Sequence, residues 1–288
     1  MGKRVVITGG SGYLGRHVLN AVIDAGHEAT VITRRADAAL SVDQPDARII
    51  ERSAFALTPQ DWASIEGADV LIHLAWRDGF ILRSRTHGAD LSAHYSFLTE
   101  AADRGIGRIT PIGTMHEIGY WEGAVDAQTP CRPTTEYGIS KVALRSLIEA
   151  SLSTTSAEFS WLRCYYIVGD DERSNSIFNK ILAAEARGDS EFPFTTGSNA
   201  YDFISVSDLA RQITAAATVS GATGIIECGT GVPTTLKDAV EAFIQDRGLA
   251  IRLAYGAYPD RPFDSPGIWA DATRINQITE TAIGEGSR

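Results

Sequence analysis

The chain has 288 residues, 44% hydrophobic and 22% charged, enough for one large domain or two coupled ones around a sizeable core. Its net charge of −10 argues against nucleic-acid binding, because phosphate backbones are met by basic patches. Three widely spaced cysteines (Cys131, Cys164 and Cys228) form no CxxC pair and read as neither a disulfide framework nor a zinc site, and no apolar run is long enough to span a bilayer.

Met1-Gly2-Lys3-Arg4 lacks a signal-peptide core and leads directly into a strand, Val5-Val6-Ile7; with the cysteine usage this predicts a reducing, cytoplasmic setting. A helical pattern follows from Gly15 to Ala25. Strands are predicted at Thr30-Val31-Ile32, Arg48-Ile49-Ile50 and Val70-Leu71-Ile72, then a helix near Leu91 to Asp103 and a strand at Arg108-Ile109. A helix from about Glu136 to Ser151 precedes a strand from Phe159 to Leu162. This alternation predicts an α/β fold, a doubly wound parallel sheet with helices on both faces. Beyond Gly169 the elements shorten: a helix near Ile177 to Ala186, a strand near Phe203-Ile204, a helix from about Ser207 to Ala217, a strand from Gly224 to Glu227 and a helix after Thr234-Thr235. Gly284 to Arg288 reads as a frayed tail. A smaller mixed α/β C-terminal lobe is therefore expected to share a cleft with the sheet. The expected division gives residues 1–169, plus about 200–225, to the sheet domain, and about 170–199 and 226–288 to the lobe.

Gly9, Gly12 and Gly15 follow the first strand in a T-G-x-x-G-x-x-G pattern that also contains Tyr13 and Leu14. Such glycines let the backbone turn sharply and approach a pyrophosphate, which the free N–H groups of the following helix then hold. The strand before and the helix after supply the context of a Rossmann dinucleotide site. The second strand ends in Thr33-Arg34-Arg35 instead of an acidic residue, so NADP is favoured, with NAD possible. His73-Leu74-Ala75 ends the fourth strand and fits the adenosine edge; His73 is equally read as an ordinary buried histidine.

Tyr137 and Lys141 lie four residues apart, on one face of the helix predicted there. An ammonium near a phenol favours phenolate, and the phenol can then exchange a proton with a substrate oxygen while a hydride moves to or from nicotinamide. Thr114 is the upstream hydroxyl that would hold the substrate carbonyl beside Tyr137.

Together these features resemble the extended short-chain dehydrogenase/reductase family, in particular the nucleotide-sugar branch of its NAD-dependent epimerases and dehydratases. Thr114 to Gly119 occupies the family's Ser/Thr-x-x-x-Tyr-Gly segment, with Ile118 where tyrosine is usual. Leu162 to Gly169, with Tyr165, is similar to the strand and loop beside the nicotinamide. Tyr201 to Ala210 resembles R-D-[FY]-[IV]-x-V-x-D-L-A, and Arg261 to Asp264 resembles R-P-G-D, continued by Trp269-Ala270-Asp271. The resemblance implies that Arg261 grips a nucleotide-sugar diphosphate, and that the protein is a homodimer with no membrane or nucleic-acid partner.

Departures narrow the chemistry. Dehydratases of the family follow the threonine with an Asp-Glu pair; here Met115 and His116 stand there, which argues against 4,6-dehydration. Glu117 is read as a loop residue. Tyr201 replaces a diphosphate-binding arginine, and Asp90 an asparagine. The stretch from Gly188 to Phe194 suggests a trimmed lobe. Trp62, Trp121 and Trp161 are read as packing residues, and Trp76 as the tryptophan nearest the cleft. His116, Tyr201, Arg173 and Asn175 are candidate substrate contacts; Arg173, Ser174 and Asn175 are equally candidate caps for the next helix. The leading expectation is an NADPH-dependent ketoreductase of a nucleotide-linked 4-keto-6-deoxy sugar. The alternatives are a nucleotide-sugar 4-epimerase and a non-catalytic NADP-binding regulator.

Overall fold

A computed structural model describes residues 2–35, 47–169, 176–260 and 264–286. The main sheet has seven parallel strands: β1 (Arg4–Thr8), β2 (Glu28–Thr33), β3 (Arg48–Glu51), β4 (Val70–His73), β5 (Arg108–Thr114), β7 (Glu158–Cys164) and β11 (Gly224–Cys228). Their order, β11-β7-β5-β4-β1-β2-β3, reverses direction between β1 and β4, which places a crevice at the carboxyl ends of those strands. Both faces of the sheet are covered, so β1 reads as a continuous apolar run rather than an alternating one. Val5 and Ile7 pack with α1 (Tyr13–Asp24), α7 (Val206–Thr218) and α9 (Thr273–Gly286). Val6 packs on the opposite face with α2 (Pro59–Ile65), α4 (Leu91–Asp103) and α5 (Glu136–Leu152), through Trp62, Phe97, Leu98, Leu144 and Ile148. The short α3 (Thr86–Ala89) precedes α4.

The second sheet is built from three- to six-residue strands. β12 (Pro233–Thr235), β10 (Ala200–Ser205), β14 (Gly267–Ala270) and β6 (Gly123–Val125) lie in that order, and β8 (Tyr166–Val168) pairs with the far end of β10. A parallel pair, β9 (Glu191–Pro193) and β13 (Arg252–Ala254), joins α6 (Ile177–Ala186) and α8 (Leu236–Asp246) around Phe178, Ile181, Phe194, Val240 and Phe243. Chain position and sheet membership cross twice. β6 lies early in the sequence yet belongs to the small sheet, whereas α9 comes last and packs on the large one.

Several elements differ from their sequence expectations for identifiable reasons. β5 continues past Ile109 to Thr114 through Pro111, which has no N–H to give; its ladder to β7 skips from Ile109↔Phe159 to Ile112↔Leu162 and then continues to Thr114↔Cys164. α9 reaches Gly286, beyond the start of the expected frayed tail, because Ile275 and Ile278 are buried against the main core. α2 was not expected; Thr58 and Asp61 form a capping box, with Pro59 in the first turn. Ser176 caps α6, accepting from the backbone N–H of Asn179, whereas the expected caps Arg173, Ser174 and Asn175 lie outside the described residues. Among the described residues no helix is long and apolar enough to cross a membrane.

Asp202, on β10, knots the small sheet. Its carboxylate is fully buried and accepts from the N–H and hydroxyl of Thr230 (2.8 and 2.7 Å) and from the N–H groups of Gly231 (2.8 Å) and Ala270 (3.1 Å). Every partner is a donor, so an amide nitrogen in this place would face N–H groups. Asp202→Asn is expected to cost about 2–4 kcal/mol of unfolding free energy in urea, since the full desolvation cost of the mispaired groups remains. An unchanged midpoint would show that the knot is dispensable.

Candidate active site

The glycine turn packs backbone on backbone. A Cβ on Gly15 would collide with the carbonyl oxygen of Gly9, and one on Gly9 would come within 2.8 Å of the Ala75 nitrogen. Gly9 itself has φ of 72°, a conformation natural to glycine. Thr8 fastens the turn to the end of β4, accepting from Leu74 N at its carbonyl (3.2 Å) and from Ala75 N at its hydroxyl (3.2 Å). At the start of α1, Gly12 has no side chain to cap the helix and the first turn carries no acidic residue. Gly12 gives its own N–H to the Gly9 carbonyl (2.9 Å), and the first turn of α1 beyond it, with Leu14 and Gly15, turns helix N–H groups and the positive dipole end outward, a cradle that fits a dinucleotide pyrophosphate. Beneath it, a Cβ on Gly169 would collide with the Tyr13 hydroxyl. At the edge of the turn Ser11 and Thr33 share a hydrogen bond (2.6 Å), and Arg34 and Arg35 are exposed.

Thr114 ends β5, and Tyr137 and Lys141 project from the first turns of α5, whose N-cap is Thr135. The structure brings all three together. The phenol of Tyr137 is hydrogen-bonded to the Thr114 side chain, whose oxygen also accepts from His116 N (3.3 Å). Lys141 is buried; its Nζ donates to the Ile112 carbonyl (2.7 Å) and lies 3.7 Å from the centre of the Trp76 ring. Burial pushes the Lys141 pKa down to about 7 against the opposing charge of Glu117 and Cys164. The expectation that Lys141 lowers the phenol's pKa is not what the geometry gives. Tyr137 is raised, first by desolvation and then by Cys164 and Glu117, and it is the Thr114 hydrogen bond that lowers it.

Rings wall this centre. Trp76, His87 and His116 lie 6.1, 5.1 and 6.2 Å from the Tyr137 ring, and Tyr166 bridges His116 (6.2 Å) to Tyr201 (4.6 Å). Trp76 donates to His87 (3.0 Å) and stacks on His94 (4.3 Å). His94 is hydrogen-bonded to His73 (2.8 Å), which is hydrogen-bonded in turn to Thr8 (2.8 Å). Burial lowers the pKa of His73, of His94 to about 3 and of His116 to about 4, so all three are neutral near pH 7. His73 is therefore a tied structural group. Asp90 lies apart from these rings in a two-bond pair with Arg77 (2.9 and 2.8 Å).

Two expected residues behave differently from their neighbours. Tyr165 is buried, and its hydroxyl donates to Glu227 (2.8 Å) in the interior; Tyr166 is the tyrosine that reaches His116. Glu117, expected as a loop residue, is fully buried and accepts from Thr114 N (2.8 Å) and Trp161 Nε1 (2.9 Å). The signal for it was Thr114-x-x-Glu117, a capping-box spacing, which the sequence reading passed over. Arg173, Asn175 and Arg261 lie outside the described residues.

Comparison with known proteins agrees with this architecture. The family model described as "NAD dependent epimerase/dehydratase family" matches residues 5–229. A dTDP-6-deoxy-L-talose 4-dehydrogenase (NAD(+)) from Aggregatibacter actinomycetemcomitans is 39% identical over 92% of this chain and 98% of its own. A dTDP-6-deoxy-L-talose 4-dehydrogenase (NAD(P)(+)) from Kitasatospora kifunensis is 23% identical over 89% of this chain and 83% of its own. The structure of UDP-N-acetylglucosamine 4-epimerase from Methanobrevibacter ruminantium M1 superposes with a TM-score of 0.82 at 19% identity, covering 96% of this chain and 92% of the other, a likeness of fold. With a dinucleotide cradle on a Rossmann sheet and a matching family model over most of its length, the chain belongs to the NAD-dependent epimerase/dehydratase family and is an NAD(P)-dependent oxidoreductase of the extended short-chain dehydrogenase/reductase type.

Proposed function

We propose that the protein is an NADPH-dependent ketoreductase acting on C4 of a nucleotide-linked 4-keto-6-deoxy sugar, with Tyr137 as proton donor. The observation that carries this reading is the convergence of Thr114, Tyr137 and Lys141 beside the glycine cradle, with no carboxylate pair after Thr114. The 39% identity to a dTDP-6-deoxy-L-talose 4-dehydrogenase, over nearly all of both chains, supports the sugar class and the C4 position. That relative is named for alcohol oxidation, the reverse of the same exchange. Exposed Ile139 and Leu147 on α5 support a homodimer, and the three free cysteines support a cytoplasmic setting.

In this reading Gly9, Gly12, Tyr13, Leu14 and Gly15 hold the cofactor diphosphate. Thr33, Arg34 and Arg35 meet a 2′-phosphate, and Leu74 and Ala75 line the adenosine side. A bound nicotinamide supplies the hydride that reaches C4. Thr114 polarises the carbonyl and fixes the phenol. Tyr137 gives its hydroxyl proton to the ketone oxygen as the C=O π pair moves there, so ketone becomes alcohol. Lys141, already next to Tyr137, restores the phenol's proton and holds the ribose on the nicotinamide side. Trp76, His116 and Tyr201 bound the sugar, joined by Arg173, Asn175 and Arg261. The raised phenol pKa keeps the transferable proton in place at rest, as a donor requires.

Incubation with NADPH and a dTDP-4-keto-6-deoxy sugar should oxidise the cofactor, and Tyr137→Phe should lower kcat by about 10²–10⁴-fold. Undiminished turnover in this variant would remove Tyr137 from the chemistry. Tightly held NAD without net oxidation would favour the epimerase, and a ligand response that survives Tyr137→Phe without any turnover would favour the regulator. Joint replacement of Arg34 and Arg35 by Ser should raise the KM for NADPH by about tenfold or more and leave that for NADH nearly unchanged; equal effects on both would defeat the 2′-phosphate assignment.

Lys141 also predicts a pH signature of stability. Its folded pKa, about 7, lies below the ordinary lysine value of 10.5, so below pH 7 the buried ammonium destabilises the fold, and this cost fades as pH rises between those two values. Lys141→Met should therefore raise the urea midpoint of the cofactor-free protein most at pH 6 and progressively less toward pH 10. A gain independent of pH would mean that the ammonium carries no such penalty.

A further inference from the structure

Glu117 is a fully buried carboxylate with no surface exposed, next to His116 in the chain and three residues from Thr114. Its Oε1 receives the N–H of Thr114 and the indole N–H of Trp161, and its Oε2 faces Arg163 at 3.4 and 3.5 Å. Arg163 is equally buried and pairs on its other side with Glu227, whose remaining oxygen receives the Tyr165 hydroxyl. Arg145 approaches the same Oε2 at 3.8 Å. Tyr137, Lys141 and Arg145 are spaced i, i+4, i+8 and form one stripe of α5. Glu117 therefore grips the turn carrying Thr114 with one oxygen and faces the helix carrying Tyr137 with the other.

The surroundings leave this turn little freedom. A Cβ on Gly113 would collide with the Trp161 indole nitrogen and lie 2.6 Å from Glu117 Oε1. A Cβ on Gly138, beside Tyr137, would collide with the His116 carbonyl. The turn and the helix thus meet at Gly138 and the His116 carbonyl, one residue from Tyr137 and two from Thr114. Small displacements between reacting groups cost large factors in rate.

We propose that Glu117 is a positioning residue: anchored by Arg163 and Arg145, it sets the placement of the Thr114 hydroxyl against the Tyr137 phenol without touching substrate or cofactor. The inference rests on the reading of Thr114 and Tyr137 as the reacting pair. It assigns to the buried Arg163–Glu227 pair a supporting part, that of holding the Glu117 carboxylate in one orientation. Breaking such a pair on one side leaves a buried charge unmatched, so its geometry is held firmly.

A double-mutant cycle on the full-length enzyme, assayed with NADPH and a dTDP-4-keto-6-deoxy sugar, tests it. Glu117→Gln keeps an oxygen for Thr114 N but loses the charge facing Arg163. It should lower kcat by about tenfold while KM for NADPH stays within about twofold. Glu117→Ala should lose about tenfold more. In a Thr114→Val background Glu117→Gln should add less than about a twofold further loss, because its effect passes through Thr114. Arg145→Met, which spares the buried Arg163–Glu227 pair, should give a smaller loss, about threefold, with the same cancellation; it carries the test if the Glu117 variants do not fold by circular dichroism. Losses that multiply fully with Thr114→Val, or unchanged kcat in a folded Glu117→Gln or Arg145→Met enzyme, would overturn the proposal. Undiminished turnover in Tyr137→Phe would instead defeat the reading of the site beneath it, so the two failures are separable.

Discussion

The site is organised by one buried cation. Removing the Lys141 ammonium from water costs several kcal/mol, and the chain meets it with a carbonyl oxygen and the face of an indole rather than with a carboxylate in contact. The Glu117 charge acts on it through the interior and only partly offsets burial. Its neighbours fit that constraint. His73 and His94 feel the same ammonium, and both are driven toward the neutral form, which spares the region a second positive charge. Trp76 is stacked between them and the lysine, with His94 on its ring and its N–H tied to His87. Removing the ring would therefore unsettle the lysine and the imidazoles together.

Around this cation the important distances are set by backbone meeting backbone. Gly15 against Gly9, Gly9 against Ala75 and Gly138 against His116 are all places where a single added carbon would push elements apart. The first two shape the anion cradle, and the third shapes the approach of the turn after β5 to α5. Because the contacts are between main-chain atoms of strands and helices, the reacting side chains are carried on the stiffest parts of the fold. The lobe is different: its strands are short, and its sheet is held by the Asp202 carboxylate as much as by packing. A rigid centre beside a separately knotted lobe is an arrangement in which the lobe can vary while the centre is kept.

The local parts of this arrangement were legible in the sequence and the distant parts were not. The glycine turn, Tyr137 with Lys141, and the long buried strands each announce themselves within a few residues, through spacing and apolar runs. The links Glu117–Arg163, His73–His94 and Asp202–Thr230 span from 21 to 46 residues, and no local pattern marks a carboxylate as paired with a particular arginine. Glu117 had a local signal in its spacing from Thr114, but the same spacing suits any helix start. Pro111 hid the true length of β5, because a proline in a central strand argues against the strand unless its neighbours tolerate the missing donor. The three-residue strands of the lobe are too short to show a period, so they emerged only from their partners. The pKa of Tyr137 went the other way from the sequence argument because burial, which spacing does not report, outweighed the lowering effect of the Thr114 hydrogen bond.

The number of mobile protons separates the chemistries that this family shares. Elimination of water from a sugar needs an acid and a base beyond the tyrosine, and the two positions after Thr114 would have to supply them. Met115 has no ionisable group, and His116, held neutral with a pKa of about 4, is a weak candidate for donating a proton near pH 7. Among the described residues the carboxylate near Thr114, Glu117, is turned inward and occupied by four donors from the chain itself. The proton left to the cleft is that of Tyr137, kept on the phenol by burial and steered by Thr114. The proposed carbonyl reduction would consume one hydride and one proton, a demand that the Tyr137 phenol, resupplied by Lys141, would meet without the acid and base that elimination of water requires.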